Sequence, residues 1–412
     1  MIEELFQLSR FYLRNNNQEY KRYFLTEHRL DGRFYIVTGQ RGIGKTTTLV
    51  QYLMGYCGGD LLSRKVLYVP VDHTNVAPYS MYEIAEAFHK EGGEVLVFDE
   101  VHKYSRWSRE LKSIYDVFPT IKILASGSSA LEIYKSSHDL SRRAVAFRMV
   151  GLSFREFIGL RWNIQLDSSS LEEITSNHEH LASTIISTLE TSNLKVLPLF
   201  RDYLRFGYYP YFIEHLNSIE EFLLKLEQDV RKTVESDSIA VFPKLSGSSV
   251  ARILKLLSLV SQSVPYTPDL TDLKRKLEIG DLRTLKLYLK FLSDANVLLA
   301  ISKKGRGLSQ LEKPDKVYLD NTNLMHALTV GKEANQGSLR ETFFANILSA
   351  NHHVNTAPSA DFLIDDSLTF EIGGKNKGAR QVKGTANAYL ALDDIETGHT
   401  NKIPLWLFGF LY

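Results

Sequence analysis

The sequence predicts an α/β fold built on a parallel sheet. Three observations point to it. Residues from about 32 to 150 alternate short apolar runs with stretches of helical periodicity. Residues 39–46 read Gly-Gln-Arg-Gly-Ile-Gly-Lys-Thr, the phosphate-loop pattern GxxxxGKT, also called Walker A. A later apolar run, Val95-Leu96-Val97-Phe98, ends in Asp99-Glu100, in the manner of a Walker B strand.

Taken in order, the first strand is Phe34-Tyr35-Ile36-Val37, directly before the loop. Glycines at 39, 42 and 44 let the backbone curl so that successive amides face one concavity. The helix over 45–56 then begins with its positive dipole end toward that concavity. Strands follow at 66–71, 95–98 and 121–125, with helices at 81–90 and 107–117 between them. Continuous apolar strands separated by helices imply a parallel sheet covered on both faces, joined by right-handed crossovers.

Beyond residue 150 the pattern turns helical, with amphipathic stretches at 171–189 and 219–234. Between them Phe206-Gly207-Tyr208-Tyr209-Pro210-Tyr211-Phe212 reads as a core plug at a helix junction or as an aromatic binding surface. Residues 248–305 suggest a winged helix-turn-helix. Its helices are expected at 250–261, 270–277 and 282–293, with Asp281 capping the third, a strand at 297–301 and a basic wing at Lys303, Gly305, Arg306 and Gly307. In a DNA-binding version Arg283, Thr284, Lys286, Tyr288 and Lys290 would face the major groove. Otherwise this segment packs against the rest of the chain or a partner. The final stretch ends in an apolar decapeptide, 403–412, expected to be buried as a strand. The expected division is an N-terminal helical segment (1–31), a phosphate-loop core (32–160), a helical segment (161–247), a winged helix (248–330) and a small α/β C-terminal domain (331–412).

Composition sets outer limits. The 412 residues carry 49 Lys and Arg against 48 Asp and Glu. Such a balance argues against a chain that coats nucleic acid, though not against a local basic patch. A single cysteine, Cys57, excludes an internal disulfide and a cysteine-built zinc site, and fits a reducing compartment. No signal peptide is recognisable, and no apolar run nears the ~18 residues of a membrane span. A cytoplasmic protein with no membrane partner is the expectation.

The candidate chemistry gathers at the loop. Residues 39–47, Gly39, Gln40, Arg41, Gly42, Ile43, Gly44, Lys45, Thr46 and Thr47, would cradle a nucleoside triphosphate. Lys45 would reach its β- and γ-phosphates, and Thr46 with Asp99 would hold Mg²⁺. Glu100 would polarise the attacking water. Ser126 or Ser128, in Ser126-Gly127-Ser128-Ser129, would contact γ-phosphate and water, or else form a helix-capping turn. Arg142 or Arg143 would spread transition-state charge, or else bind acidic side chains at the surface. Asp72, after the second strand, is a further candidate near the metal.

The loop, the Asp99-Glu100 pair, the run Trp107-Ser108-Arg109-Glu110-Leu111-Lys112 and the stretch from Ser126-Gly127-Ser128-Ser129 to Leu152-Ser153-Phe154-Arg155-Glu156-Phe157 together resemble AAA-type phosphate-loop ATPases of bacteria and archaea. They resemble in particular the branch with a C-terminal domain of unknown function and a PD-(D/E)xK nuclease-like fold. That resemblance implies an ATP-binding switch followed by a winged helix. It also implies a second site, with Asp361 on one strand, Glu371 on the next, Lys375 as a migrated lysine because Gly373 stands two after Glu371, and Glu341 and Gln381 as further candidates. Lys375, Lys377, Arg380 and Lys383 would form a basic patch for a phosphate backbone. The leading expectation is a slow, magnesium-dependent ATP hydrolase in which nucleotide bound between the sheet domain and the helical segment repositions the winged helix and C-terminal domain. The alternatives are an ATP-gated, metal-dependent DNA nuclease and a regulator that binds ATP without turnover. DNA and a homo-oligomeric partner stay open.

Overall fold

The computed structural model describes residues 1–127, 140, 142–237, 247–303, 314–329, 334–378 and 387–412. Ser128, Ser129, Gly305, Arg306, Gly307, Arg380, Gln381 and Lys383 lie outside them. The chain divides into two units, Met1–Gly151 and Leu152–Tyr412.

The first unit holds a five-stranded sheet: β1 (Phe34–Thr38), β2 (Val66–Pro70), β3 (Val95–Asp99), β4 (Lys122–Gly127) and β5 (Val145–Arg148). Their order is β2-β3-β4-β1-β5, and every pairing is parallel. β1 to β3 are buried along their whole length because helices cover both faces. Those helices are α3 (Lys45–Tyr56), α4 (Met81–Lys90) and α5 (Trp107–Val117). α4 starts on a capping box, in which Ser80 accepts from the Glu83 amide and Glu83 reaches back to the Ser80 amide. The N-terminal segment is no separate module. α1 (Ile2–Asn16) buries Leu5 and Phe6 in the same core as Leu67, Phe88 and Leu96, and its Ser9 hydroxyl accepts from the Tyr68 amide on edge strand β2. A short α2 (Tyr23–Glu27) leads into β1.

The second unit begins with α6 (Phe154–Trp162), α7 (Leu171–Glu190), α8 (Val196–Phe206) and α9 (Ile219–Lys232). Leu152-Ser153-Phe154-Arg155-Glu156-Phe157 is explained by packing. Ser153 and Glu156 form a fully buried capping box, while Ser153 Oγ and Arg155 Nε both donate to the Tyr412 carbonyl. The aromatic turn after α8 is core: Tyr208, Tyr209 and Phe212 are buried, and the Tyr208 amide donates to buried Asn323. Three helices follow, α10 (Gly247–Ser261), α11 (Leu270–Lys276) and α12 (Leu282–Asp294), then an antiparallel pair, β6 (Leu298–Ile301) with β7 (Lys316–Leu319). A further pair of helices, α13 (Thr322–Leu328) and α14 (Gln336–Leu348), precedes a mixed sheet ordered β12-β11-β10-β9-β8. Its strands are β8 (Val354–Thr356), β9 (Phe362–Ile364), β10 (Leu368–Gly374), β11 (Ala388–Asp393) and β12 (Lys402–Pro404). Phe344 of α14 covers this sheet through ring contacts with Phe362 and Phe370, and also meets Phe408 beyond the last strand. The apolar C-terminal decapeptide is buried, yet only its start is strand. Leu405–Phe410 is a 3-10 helix, which turns side chains in several directions and suits a segment apolar all round. Among the described residues no helix is long and apolar enough to cross a membrane.

Candidate functional site

Strand order brings the loop and the acids together. β4 lies between β1 and β3, so the carboxyl ends of all three open on one crevice. The loop leaves β1 there and turns into α3 through glycines in left-handed backbone, Gly42 at φ 80° and Gly44 at φ 94°. A side chain at either would be strained. Lys45 is 5% exposed, and its ammonium donates to the Gly39 carbonyl at 3.0 Å and the Gln40 carbonyl at 2.8 Å. Arg41 and Thr47 are half-buried at the rim.

Asp99 ends β3 buried, with neutral donors converging on it. The Thr46 hydroxyl donates to Oδ2 at 2.6 Å, the Tyr68 hydroxyl donates to the same oxygen, and the Ser126 hydroxyl donates to Oδ1. The Glu100 amide adds a bond to Oδ1 at 3.0 Å. Ser126, at the tip of β4, thus orients Asp99, and its own oxygen accepts from the Glu100 amide at 3.3 Å.

Glu100 sits in left-handed backbone at φ 57°. Burial raises its pKa above the usual carboxylate value, against the opposing pull of Lys45 and Arg41. Its Oε2 is buried without a hydrogen-bond partner, 3.4 Å from His102 Nε2 and outside hydrogen-bond geometry. His102 is buried as well, and desolvation pushes its pKa down to about 3, so the ring is neutral at physiological pH and no ion pair forms. The donor set of Thr46 hydroxyl, Asp99 carboxylate and nearby half-buried Glu100 is all hard oxygen, and the orphaned Glu100 Oε2 needs a polar partner. Both fit a hydrated Mg²⁺. Asp72 is exposed beyond β2.

Arg143 requires a correction. Its guanidinium forks onto Asp116 of α5, at 2.9 and 3.0 Å. It precedes β5, whose first residue pairs beside Tyr35 near the start of β1. In a parallel sheet that is the end opposite the phosphate loop of this chain, so here Arg143 takes its alternative place, on an acidic side chain. Arg142 is exposed in the same turn.

In the second unit, Asp361 and Glu371 are neighbours across the β9–β10 hairpin, and Asp361 Oδ2 accepts from the Ile372 amide at 2.8 Å. Lys375 is exposed. The ammonium beside Glu371 is that of Lys377, 2.6 Å from Oε1. Gly373 permits this, because a Cβ there would stand 2.5 Å from Lys377 Cβ and 2.6 Å from its Cγ. Lys316 lies 3.5 Å from Glu341 and 3.8 Å from Asp361. Among the described residues no three acids, histidines or cysteines are placed to hold a metal ion. Lysines stand against these carboxylates, and no cleavage chemistry is derived from the arrangement. The expected DNA face of α12 changes too. Tyr288 is 2% exposed, in a core stripe with Leu285, Leu289 and Leu292, and Lys290 pairs with Asp294 at 2.8 Å.

Tyr68 and His102 belong to the site and escaped sequence reasoning. Tyr68 left a signal, a single hydroxyl in a buried aliphatic strand, which must find a partner. His102, two residues past Glu100, left a weak one.

Comparison with known proteins agrees with the first unit. Residues 31–158 match the family model described as AAA domain, and residues 197–335 match one described as a domain of unknown function, DUF8612. The chain is 26% identical over 402 residues to the uncharacterized protein MJ1637 of Methanocaldococcus jannaschii, covering 89% of this chain and 81% of that protein. Among solved structures, AMPPCP-bound DnaA from Aquifex aeolicus aligns at a TM-score of 0.25 and 15% identity, over 70% of this chain and 86% of DnaA. A structure described for katanin self-assembly aligns at 0.24 and 14% identity, over 40% of this chain and 60% of katanin, under two thirds of its length. At those scores neither carries an argument. The AAA domain match, with the parallel sheet and its loop, supports a P-loop nucleoside-triphosphatase fold for the first unit.

Proposed function

We propose that this chain is a magnesium-dependent ATPase of AAA type, acting as a nucleotide-driven switch whose second unit includes a winged helix and a nuclease-like C-terminal fold. The observation that carries the reading is the convergence of Lys45, Thr46, Asp99, Glu100 and Ser126 on one crevice at the carboxyl ends of β1, β4 and β3. In this reading the loop amides and Lys45 bind the β- and γ-phosphates, the ammonium exchanging its two loop carbonyls for phosphate oxygens. Magnesium, held by Thr46 and Asp99, would supply charge neutralisation at those phosphates. Tyr68 and Ser126 keep Asp99 oriented through neutral hydroxyls that leave its charge intact. Glu100, with its raised pKa and unpartnered Oε2, takes the proton from the attacking water. Three helices followed by the β6–β7 pair support the winged helix. The inward-facing Tyr288 and the Lys290–Asp294 pair weigh against DNA reading by α12.

The test is Glu100→Gln, which keeps shape and hydrogen bonding but cannot take a proton. Calorimetry should find ATP affinity preserved, while phosphate release falls by about 10²- to 10⁴-fold, the worth of a general base. If the wild type binds ATP and releases no phosphate, the chain is a nucleotide-binding regulator and the hydrolase reading fails.

A further inference from the structure

Arg22 is 4% exposed, on the segment between α1 and α2. Its guanidinium reaches two separate stretches of backbone. Nη1 donates to the Ile43 carbonyl at 2.7 Å, and Nη2 donates to the carbonyls of Val150 at 2.9 Å and Gly151 at 2.8 Å. Ile43 is inside the phosphate loop, and Gly151 is the last residue of the first unit. A buried guanidinium is costly unless its donors are matched, and here the fork spans two segments that a single ammonium could not bridge.

The peptide linking Ile43 to Gly44 is planar and trans, so its carbonyl and amide point in opposite directions. Gripping the Ile43 carbonyl from outside therefore turns the Gly44 amide the other way, into the loop. The exit segment is tied to the loop by other contacts as well. A Cβ on Gly39 would collide with the Met149 carbonyl, and the Met149 amide donates to the Thr38 carbonyl at 2.8 Å. The Arg22 segment is itself fastened to α3, where Gln51 Nε2 donates to the carbonyls of Gln18 at 2.7 Å and Tyr20 at 2.8 Å.

We propose that Arg22 is a positioning residue that orients the Ile43–Gly44 peptide toward bound phosphate and ties that peptide to the chain's exit from the first unit, so that nucleotide at the loop firms the backbone at Val150–Gly151. The proposal deepens the ATP-binding reading and rests on it.

The test compares full-length wild type, Arg22→Ala and Arg22→Lys, using Mg-ATP as the probe. Calorimetry gives affinity, and amide hydrogen exchange followed by mass spectrometry reports on a peptide spanning 147–152. In the wild type, nucleotide should slow exchange there by a factor within the usual coupling range, about 5- to 150-fold. Arg22→Lys should bind Mg-ATP about 10- to 150-fold more weakly, the worth of a hydrogen bond to a charged group. At saturating nucleotide it should show no slowing in that peptide. A purely structural arginine would lower the melting temperature yet leave the nucleotide-dependent slowing intact, and that result overturns the proposal. So does the failure of both variants to fold, which would assign Arg22 to the core alone. Absence of binding in the wild type removes the ATP-binding reading and this one with it. Binding without slowing at 147–152 removes this one only.

Discussion

Asp99 is held by three hydroxyls and an amide, all of them neutral donors. A cation at Tyr68 or Ser126 would cancel the charge that a metal needs, whereas hydroxyls fix geometry and leave that charge in place. His102 follows the same economy, since a neutral ring can stand beside Glu100 without drawing off its charge. Its sign in stability is clear. Folding lowers its pKa from 6.5 to about 3, so between those values the unfolded chain binds more protons. Its contribution is complete above pH 6.5 and is lost as pH falls toward 3. The groups acting on it are Lys103, Lys45 and Arg41, whose positive charges add to the effect of burial, with Glu100 opposite the ring. Urea unfolding at about pH 7.5 and about pH 5 should show the wild type losing about 2 kcal/mol more than His102→Gln, at about 1.4 kcal/mol per pH unit below 6.5. His28, His178 and His326 push in the same direction, so only the difference between the two proteins isolates His102. Equal losses would mean that the ring is charged or solvated in the folded chain.

Elements were more legible than the contacts they make. The helices at Lys45–Tyr56, Met81–Lys90 and Trp107–Val117 have the bounds that periodicity suggests, because that signal is local. The loop and Asp99-Glu100 were readable for the same reason, since a parallel sheet brings strand ends together wherever the strands lie in sequence. Arg143 was not, because sequence distance does not say at which end of the sheet a residue falls. Lys377 replaced Lys375 because the turn after β10 folds its stem across Gly373, a matter of backbone path. Capping boxes show how burial sets the worth of identical chemistry. Ser170 with Glu173 is exposed, whereas Ser153 with Glu156 is buried and also holds the Tyr412 carbonyl. Ser170→Ala should therefore cost about 0.5–1 kcal/mol, the low end for an N-cap. Ser153→Ala should cost about 2 kcal/mol, because the buried Glu156 amide is left unpaired and the Tyr412 carbonyl keeps only its bond from Arg155. Chemical denaturation of both variants measures this, and equal costs would show that water reaches the Ser153 cap.

At the scale of the whole molecule, every side chain assigned to the nucleotide belongs to residues 1–151, so ligand binding should act on the stability of that unit by mass action. The second unit has its own sheet and core, with Phe362, Phe370 and Phe408 packed under Phe344. A ligand that binds only the folded first unit stabilises it by about 2.7 kcal/mol at a hundred times its dissociation constant. For a fold of this size such a gain raises the melting temperature by roughly 5–10 °C. Scanning calorimetry with Mg-ATP should show that rise in the wild type. Lys45→Ala should abolish it, because the ammonium that meets the phosphates is gone while the loop glycines still fold the turn. A variant that retains the full shift would mean that the nucleotide is held elsewhere, and the crevice at the ends of β1, β4 and β3 would lose its role. Mg-GTP in the same cell tests the base, since a shift equal to that of ATP would show recognition confined to the phosphates.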